Sequence, residues 1–267
     1  MNILVITGSR ADYGLLEWPL KLLREHFACD LLRIWGQSFE IAFANVRGHL
    51  AVTRPDLMLV LGDRYEILAA ATAAHLLRVP IAHIGGGDVT EGSYDDAMRD
   101  SISRMASVHF VTSTSAMARL SHMGFRNVHL VGNPGVDYIR HADWKRERPI
   151  AEPYVVVAYY PETIDRTFDL PTVDAAVAGR KAIWIAPNPD LDSEDSPATA
   201  TYPHAEFLNL IFHCEEFIGN SSAMLYEAPE LGVKTRMIGK RQRGRTIPWG
   251  DGQASQRIVN ILKYGAF

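Results

Sequence analysis

Three small polar side chains stand together in IGNSSAMLYEAPELGV, residues 218–233, where Asn220, Ser221 and Ser222 follow an apolar run and Glu227 lies five residues beyond the last serine. A helix N-terminus leaves backbone N–H groups without intrahelical partners and carries partial positive charge, so it takes either a polar cap or an anion such as phosphate. Both readings stand for this triplet alone. Gly8-Ser9-Arg10 reads as a phosphate turn, because glycine lets the backbone approach and arginine pairs with phosphate oxygens; a plain strand-to-helix turn is the alternative. In GDRYE, Asp63 and Arg64 are either a helix cap with an ion pair or an acid/base pair facing a sugar.

The loop GGGDVTEGSYDDAMR crowds Asp88, Glu91, Asp95 and Asp96 behind three glycines, with Arg99 one helical turn further on. Carboxylates held close together raise one another's pKa values, a device common in acid/base sites; a Gly-rich loop with an Asp N-cap for the following helix is the alternative. Near the C-terminus, GKRQRGR sets Lys240, Arg241, Arg243 and Arg245 close together, with Lys234 shortly before; a diphosphate clamp is the economical reading, with polyanion binding or a merely solvated charge run as the alternatives.

These clusters need elements to hold them. Short β-branched runs alternate with helical patterns, the signature of parallel sheets buried on both faces. Strands are expected at 3–7, 29–35, 57–62, 80–84, 108–112 and 128–132, with helices at 12–26, 39–50, 65–77, 94–106 and 114–123. The stretch 132–153 mixes Pro, Gly and charge without a period and reads as a connection; strands at 154–160, 181–187, 216–220 and 233–239 and a closing helix at 253–264 follow. The expected organisation is an N-terminal Rossmann-like domain over 1–145, a C-terminal one over 150–250, and a last segment, 251–267, packing back on the first. Each polar cluster falls at the carboxyl end of an expected strand, where ligands of open α/β sheets bind, so one cleft between facing domains is expected.

The bulk numbers agree with a globular protein. The chain has 267 residues, 47% hydrophobic and 22% charged, and a formal charge of -4, which supplies no global basic field for nucleic acid or anionic lipid. Its two cysteines, Cys29 and Cys214, show neither a disulfide framework nor metal-ligand spacing. The N-terminus reads at once as a strand, and no apolar run approaches the ~20 residues of a membrane span. A cytoplasmic protein without metal or cofactor is expected.

Taken together, five stretches resemble the hydrolysing UDP-N-acetylglucosamine 2-epimerases, in particular their sialic-acid-synthesis branch: TGSRADYG at 7–14, PDLMLVLGDRYEILAAATAAHLLRVPIAHIGGG at 55–87, EGSYDDAMRDSIS at 91–103, HLVGNPGVD at 129–137 and IGNSSAMLYEAPELGVKTRMIGKRQRGR at 218–245. The resemblance implies two Rossmann-like domains in the glycosyltransferase-B arrangement, with UDP held chiefly by the C-terminal one. It implies Ser221, Ser222 and Arg241 on the diphosphate, Glu227 on the ribose, and Arg10 reaching the diphosphate from the other domain. Arg64, Asn220 and Arg245 join them as substrate-binding candidates. It also implies a homodimer.

The sequence is short for that family and altered on the sugar side. The segment after the second strand lacks the family's GxHL-type histidine, Tyr160-Pro161 replaces a His-Pro pair, Gly85 stands where some members have Glu, and Asp100 follows Arg99 in place of a His. A free tyrosine titrates near ~10, far from histidine. The expected activity is cleavage of the anomeric C–O bond of a UDP-sugar with release of UDP, by 2-epimerisation, with Asp63, Asp88 and Asp95 as acid/base candidates beside Arg99 and Tyr160. The alternatives are transfer of the sugar to an acceptor, including a large or anionic one such as nucleic acid, and UDP-sugar binding without turnover.

Overall fold

Alternation along the strands builds both faces of the first sheet. The computed structural model describes residues 1–165, 167–187, 198 and 200–265. In β1 (Asn2–Thr7), Ile3 and Val5 join one buried cluster while Leu4 and Ile6 join another, as the two-residue period of a strand dictates. β3 (Leu57–Leu61) divides the same way, with Leu57 and Leu59 on the first face and Met58 and Val60 on the second. Together with β2 (Ala28–Arg33), β4 (Ile81–Ile84), β5 (Val108–Val111) and β6 (Val128–Leu130) they form an all-parallel sheet in the order β2-β1-β3-β4-β5-β6.

The helices covering each face follow from their sequences. α1 (Arg10–Arg24) and α10 (Ala254–Tyr264) bring Leu16, Leu20, Leu23, Ile258, Val259 and Leu262 onto the first face. α2 (Phe39–Thr53) and α3 (Tyr65–Leu76) cover the second; five alanines between Ala69 and Ala74 are fully buried, and such small side chains let α3 lie close to its neighbours. α4 (Asp96–Met105) adds Ile102 to that layer, and α5 (Thr114–His122) packs Ala116 and Leu120 against Val111.

A second unit comprises Thr90–Tyr94 and Ile139–Ile247; the first comprises Met1–Val89, Asp95–Tyr138 and the chain from Pro248 on. Its parallel sheet runs β10-β9-β7-β8, from β7 (Tyr154–Ala158), β8 (Lys181–Trp184), β9 (Glu216–Gly219) and β10 (Thr235–Met237). α7 (Leu170–Val177), α8 (His204–His213) and α9 (Ala223–Leu231) accompany it, with Val155, Val157, Tyr159, Val173, Ile218 and Ile238 in one buried cluster. In both sheets the strand order reverses between the first and third strands of the unit, which creates the crevice at which open α/β sheets receive ligands.

The stretch read as an irregular connection contains a helix, α6 (Pro134–His141). Its start is intelligible afterwards: proline supplies helical φ and lacks the N–H that a first turn would leave unpaired. Asp137, buried in α6, accepts hydrogen bonds from the backbone N–H groups of Ala254 at 3.1 Å and Ser255 at 2.5 Å, so it caps α10 from another element. The expected helix over 94–106 begins later, at Asp96, because Thr90–Tyr94 belongs with the second unit. Asp137→Ala is predicted to lower the stability of the first unit by about 1–3 kcal/mol, since it removes a cap and strands two N–H groups. A urea unfolding curve indistinguishable from wild type would contradict this.

Candidate functional site

In the first unit the sequence-predicted residues gather at the carboxyl ends of β1, β3 and β4. Ser9 is the N-cap of α1, its hydroxyl accepting from the Asp12 N–H at 3.1 Å, and Arg10 opens the helix half-buried, with no hydrogen-bond partner for its side chain among the described residues. Trp35 donates its indole N–H to the Thr7 hydroxyl at 2.8 Å, fixing the end of β1. Gly62 turns the chain at φ +86, a conformation that favours glycine, and delivers Asp63 and Arg64.

Arg64 is the N-cap residue of α3 and binds Glu66 through two hydrogen bonds, at 3.0 and 3.1 Å; Glu66 is fully buried. Asp63 instead reaches α4, where its carboxylate accepts from Arg99. Arg99, 1% exposed, also donates to the Asp96 carboxylate and, at 2.9 Å, to the Asp88 carbonyl. Burial works against the guanidinium charge, but the Asp63 carboxylate, with Asp96 and Asp88 behind it, outweighs burial and raises the Arg99 pKa above its ordinary value.

The carboxylates of the acidic loop stand in different surroundings. Asp96 is neutralised by Arg99, Asp88 accepts the Thr112 hydroxyl at 3.0 and 3.2 Å, and Asp95 stands at the N-cap of α4. Glu91 belongs to the second unit, 3.8 Å from Arg243. Asp100, next to Arg99, forms a two-bond ion pair with Arg119 at 2.6 and 2.7 Å that ties α4 to α5. Sequence reasoning missed Asp12. Its carboxyl is buried beside Gly8 and Gly62, Oδ2 has no hydrogen-bond partner among the described residues, and burial, opposed by Arg64 and reinforced by Asp63, lifts its pKa to about 7. The signal present was its Ser-x-x-Asp spacing from Ser9, a capping-box pattern.

The second unit gathers the other candidates at the ends of β7 and β9. The Asn220 amide locks the two together, accepting from the Tyr160 N–H at 2.8 Å and donating to the Tyr160 carbonyl at 2.7 Å. Gln242 donates to the Asn220 carbonyl at 2.8 Å, which draws the basic loop to the same point, and the Arg241 guanidinium lies 5.6 Å from the centre of the Tyr160 ring. Glu162, buried, accepts the Lys240 N–H at 2.5 Å and fixes the start of that loop.

α9 begins at this junction. Ser222 is its N-cap residue and makes no side-chain cap bond, while the Ser221 hydroxyl accepts from the Ala223 N–H at 3.3 Å. Arg245 donates to the hydroxyl of Tyr226 at 2.5 Å, so the last basic residue is braced by α9 itself. Glu227 is buried in α9; its Oε2 has no hydrogen-bond partner among the described residues, and desolvation raises its pKa to about 7. A helix start with a serine hydroxyl and arginines beside it suits an anion. A buried carboxylate on the same helix suits a ligand with hydroxyl donors. Among the described residues no group of three or more His, Cys, Asp or Glu is placed to hold a metal ion, and no helix is long and apolar enough to cross a membrane.

Comparison with known proteins places the chain in a family. The sequence profile of the UDP-N-acetylglucosamine 2-epimerase family matches residues 35–247. The UDP-N-acetylglucosamine 2-epimerase of Neisseria meningitidis is 27% identical, over 91% of this chain and 81% of that protein. The UDP-N,N'-diacetylbacillosamine 2-epimerase (hydrolyzing) of Legionella pneumophila is 25% identical, over 91% and 82%. Among solved structures, the UDP-GlcNAc 2-epimerase of Methanocaldococcus jannaschii in complex with UDP-GlcNAc and UDP shares the fold with a TM-score of 0.82 at 16% identity, covering 99% of this chain and 100% of that one. The chain belongs to the UDP-N-acetylglucosamine 2-epimerase family.

The Glu227 environment has a measurable consequence without ligand. Its folded-state pKa of about 7 exceeds the ordinary 4.5, so the folded protein holds this proton more tightly than the unfolded chain. The folded state therefore carries no penalty below pH ~4.5, gains one as pH rises toward ~7, and keeps it above that. Glu227→Gln, always neutral, is predicted to match wild type near pH 4.5 and to exceed it at pH 8 by up to about 3 kcal/mol. A stability difference that does not change with pH, in urea titrations at the two values, would contradict this.

Proposed function

We propose that the protein is a hydrolysing UDP-sugar 2-epimerase that takes UDP-N-acetylglucosamine or a close relative, releases UDP, and gives the free 2-epimeric sugar. The family match across residues 35–247, which covers Asp63 to Arg99 and Tyr160 to Arg245, carries this reading. It favours release of the sugar to water over transfer to an acceptor, and turnover over binding alone. In this reading the reaction is cytoplasmic and runs without a metal or an organic cofactor, because both of its steps are proton transfers coupled to C–O chemistry.

In the first step the C2 proton goes to a carboxylate, the C2–H electron pair becomes the C1–C2 double bond, and the C1–O bond breaks toward UDP. In the second, a carboxylate takes a proton from water as the water oxygen adds to C1, and a carboxyl group delivers a proton to C2 on the opposite face. Asp63 is assigned as the principal acid/base group, oriented by the buried Arg99, with Asp95 and Asp88 as the further carboxyls available for the return step. A general base or acid of this kind contributes roughly 10² to 10⁴ in rate.

The nucleotide falls to the second unit. Ser221, Ser222, Arg241 and Arg245 are assigned to the diphosphate, with Arg10 as the first unit's contribution, and Glu227 to the ribose hydroxyls, which would complete its Oε2. Arg64 is assigned to the sugar side through its place next to Asp63. Asn220 acts through Tyr160, whose backbone it holds. The Tyr160 hydroxyl takes the place of the family's histidine as a neutral hydrogen-bond donor to the departing phosphate, a role that needs no titration near pH 7.

UDP release from UDP-N-acetylglucosamine, followed by a coupled assay, tests the assignment. Asp63→Asn is predicted to lower kcat by about 10² to 10⁴ with little change in KM, whereas Glu227→Gln raises KM and leaves kcat nearer wild type. Wild-type turnover in Asp63→Asn would remove Asp63 from the chemistry.

A further inference from the structure

His83 lies in an apolar strand, is fully buried, and touches three segments that carry the acid/base residues. Its Nε2 lies 2.8 Å from the Gly62 carbonyl, and its Nδ1 lies 3.0 Å from the Ser103 hydroxyl. A carbonyl only accepts, so Nε2 bears the proton and Nδ1 accepts from Ser103; this fixes one neutral tautomer. Burial, opposed by the Gly62 carbonyl, pushes the His83 pKa down to about 4 and keeps the ring neutral at physiological pH.

Each contact stands next to a site residue. Gly62 immediately precedes Asp63, and Ser103 is one helical turn beyond Arg99 on α4. Gly86, two residues before Asp88, leaves room for the bond: a Cβ there would come within 2.7 Å of the Ser103 oxygen and 3.1 Å of Nδ1. A buried imidazole with both nitrogens bonded to different segments restrains those segments relative to one another. A hydrophobic side chain of equal size would fill the space without holding either partner.

We propose that His83 is a positioning residue for the reaction: its neutral imidazole, bonded to Gly62 and Ser103, sets the register of the Asp63 loop against the helix carrying Arg99, and so the geometry of the Asp63–Arg99 pair. The role in turnover rests on the epimerase reading above. The restraint on Asp63 does not, and it can be read without substrate.

Two substitutions separate the nitrogens. His83→Gln keeps a donor where Nε2 stands, whereas His83→Asn reaches only the Nδ1 position and releases Gly62. With carboxyl-carbon-labelled aspartate, the Asp63 resonance, identified by its loss in Asp63→Asn, is expected to move in His83→Asn and to return toward wild type in His83→Gln. With UDP-N-acetylglucosamine, kcat of His83→Asn is expected to fall about 10- to 100-fold with KM within about twofold, and His83→Gln to recover most of it.

Should His83→Asn fail to fold, Ser103→Ala, which keeps the ring and removes only its orienting partner, must shift the same resonance. An Asp63 resonance unmoved in His83→Asn or Ser103→Ala, or moved equally by Asn and Gln, would overturn the proposal and leave His83 as a space-filling core residue. Absence of wild-type turnover would refute the epimerase reading instead, with the resonance still deciding the role of His83.

Discussion

A guanidinium that is 1% exposed must find its counter-charge inside the protein, and Arg99 draws the carboxyl ends of two strands together to do so. Asp63 arrives from the turn after β3, Asp96 from the first turn of the same helix, and the Asp88 carbonyl from the loop after β4. Losing one partner of a buried pair typically costs 3–5 kcal/mol, because the other charge is left without compensation. The loops that carry the acid/base candidates are therefore held by the same interaction that orients the candidates. Glycines at 62, 85 and 87, all at positive φ, let those loops turn sharply enough to reach it.

The second unit solves a similar problem with neutral groups. Asn220 replaces the ion pair as the link between two strand ends, bonding both the N–H and the carbonyl of Tyr160, and Gln242 extends the link to the basic loop. Gly219 permits the approach: a Cβ there would lie 2.1 Å from the Ala158 carbonyl oxygen. The result is a helix start bordered by Arg241 and Arg245, with the Glu227 carboxyl buried one to two turns along. Two sheets of the same strand-order rule thus present different chemistry, carboxylates held by a buried arginine in one and a helix start bordered by arginines in the other.

Much of this was legible in the sequence. Alternating β-branched runs located the strands, and the polar clusters at their ends located Asp63, Arg99 and the Asn-Ser-Ser helix start, because ligands of open α/β sheets bind at the carboxyl ends of strands. What escaped did so for physical reasons. Asp12 and His83 are single polar residues beside apolar ones, and only the fold reveals that each is buried against a functional loop. The partition of Glu91 from Asp96 depended on where the chain passes to the second unit, which charge spacing does not encode. α6 was hidden by its Pro, Gly and charged composition, although Pro134 at its start is a recognised opening residue.

The central claim, removal and return of the sugar C2 proton, is tested most directly by incubating the protein with UDP-N-acetylglucosamine in deuterated water and following the products by NMR. The account predicts free UDP together with N-acetylmannosamine carrying deuterium at C2. Released sugar that keeps its original C2 proton and configuration, or no UDP release from a protein that binds the nucleotide sugar, would contradict it.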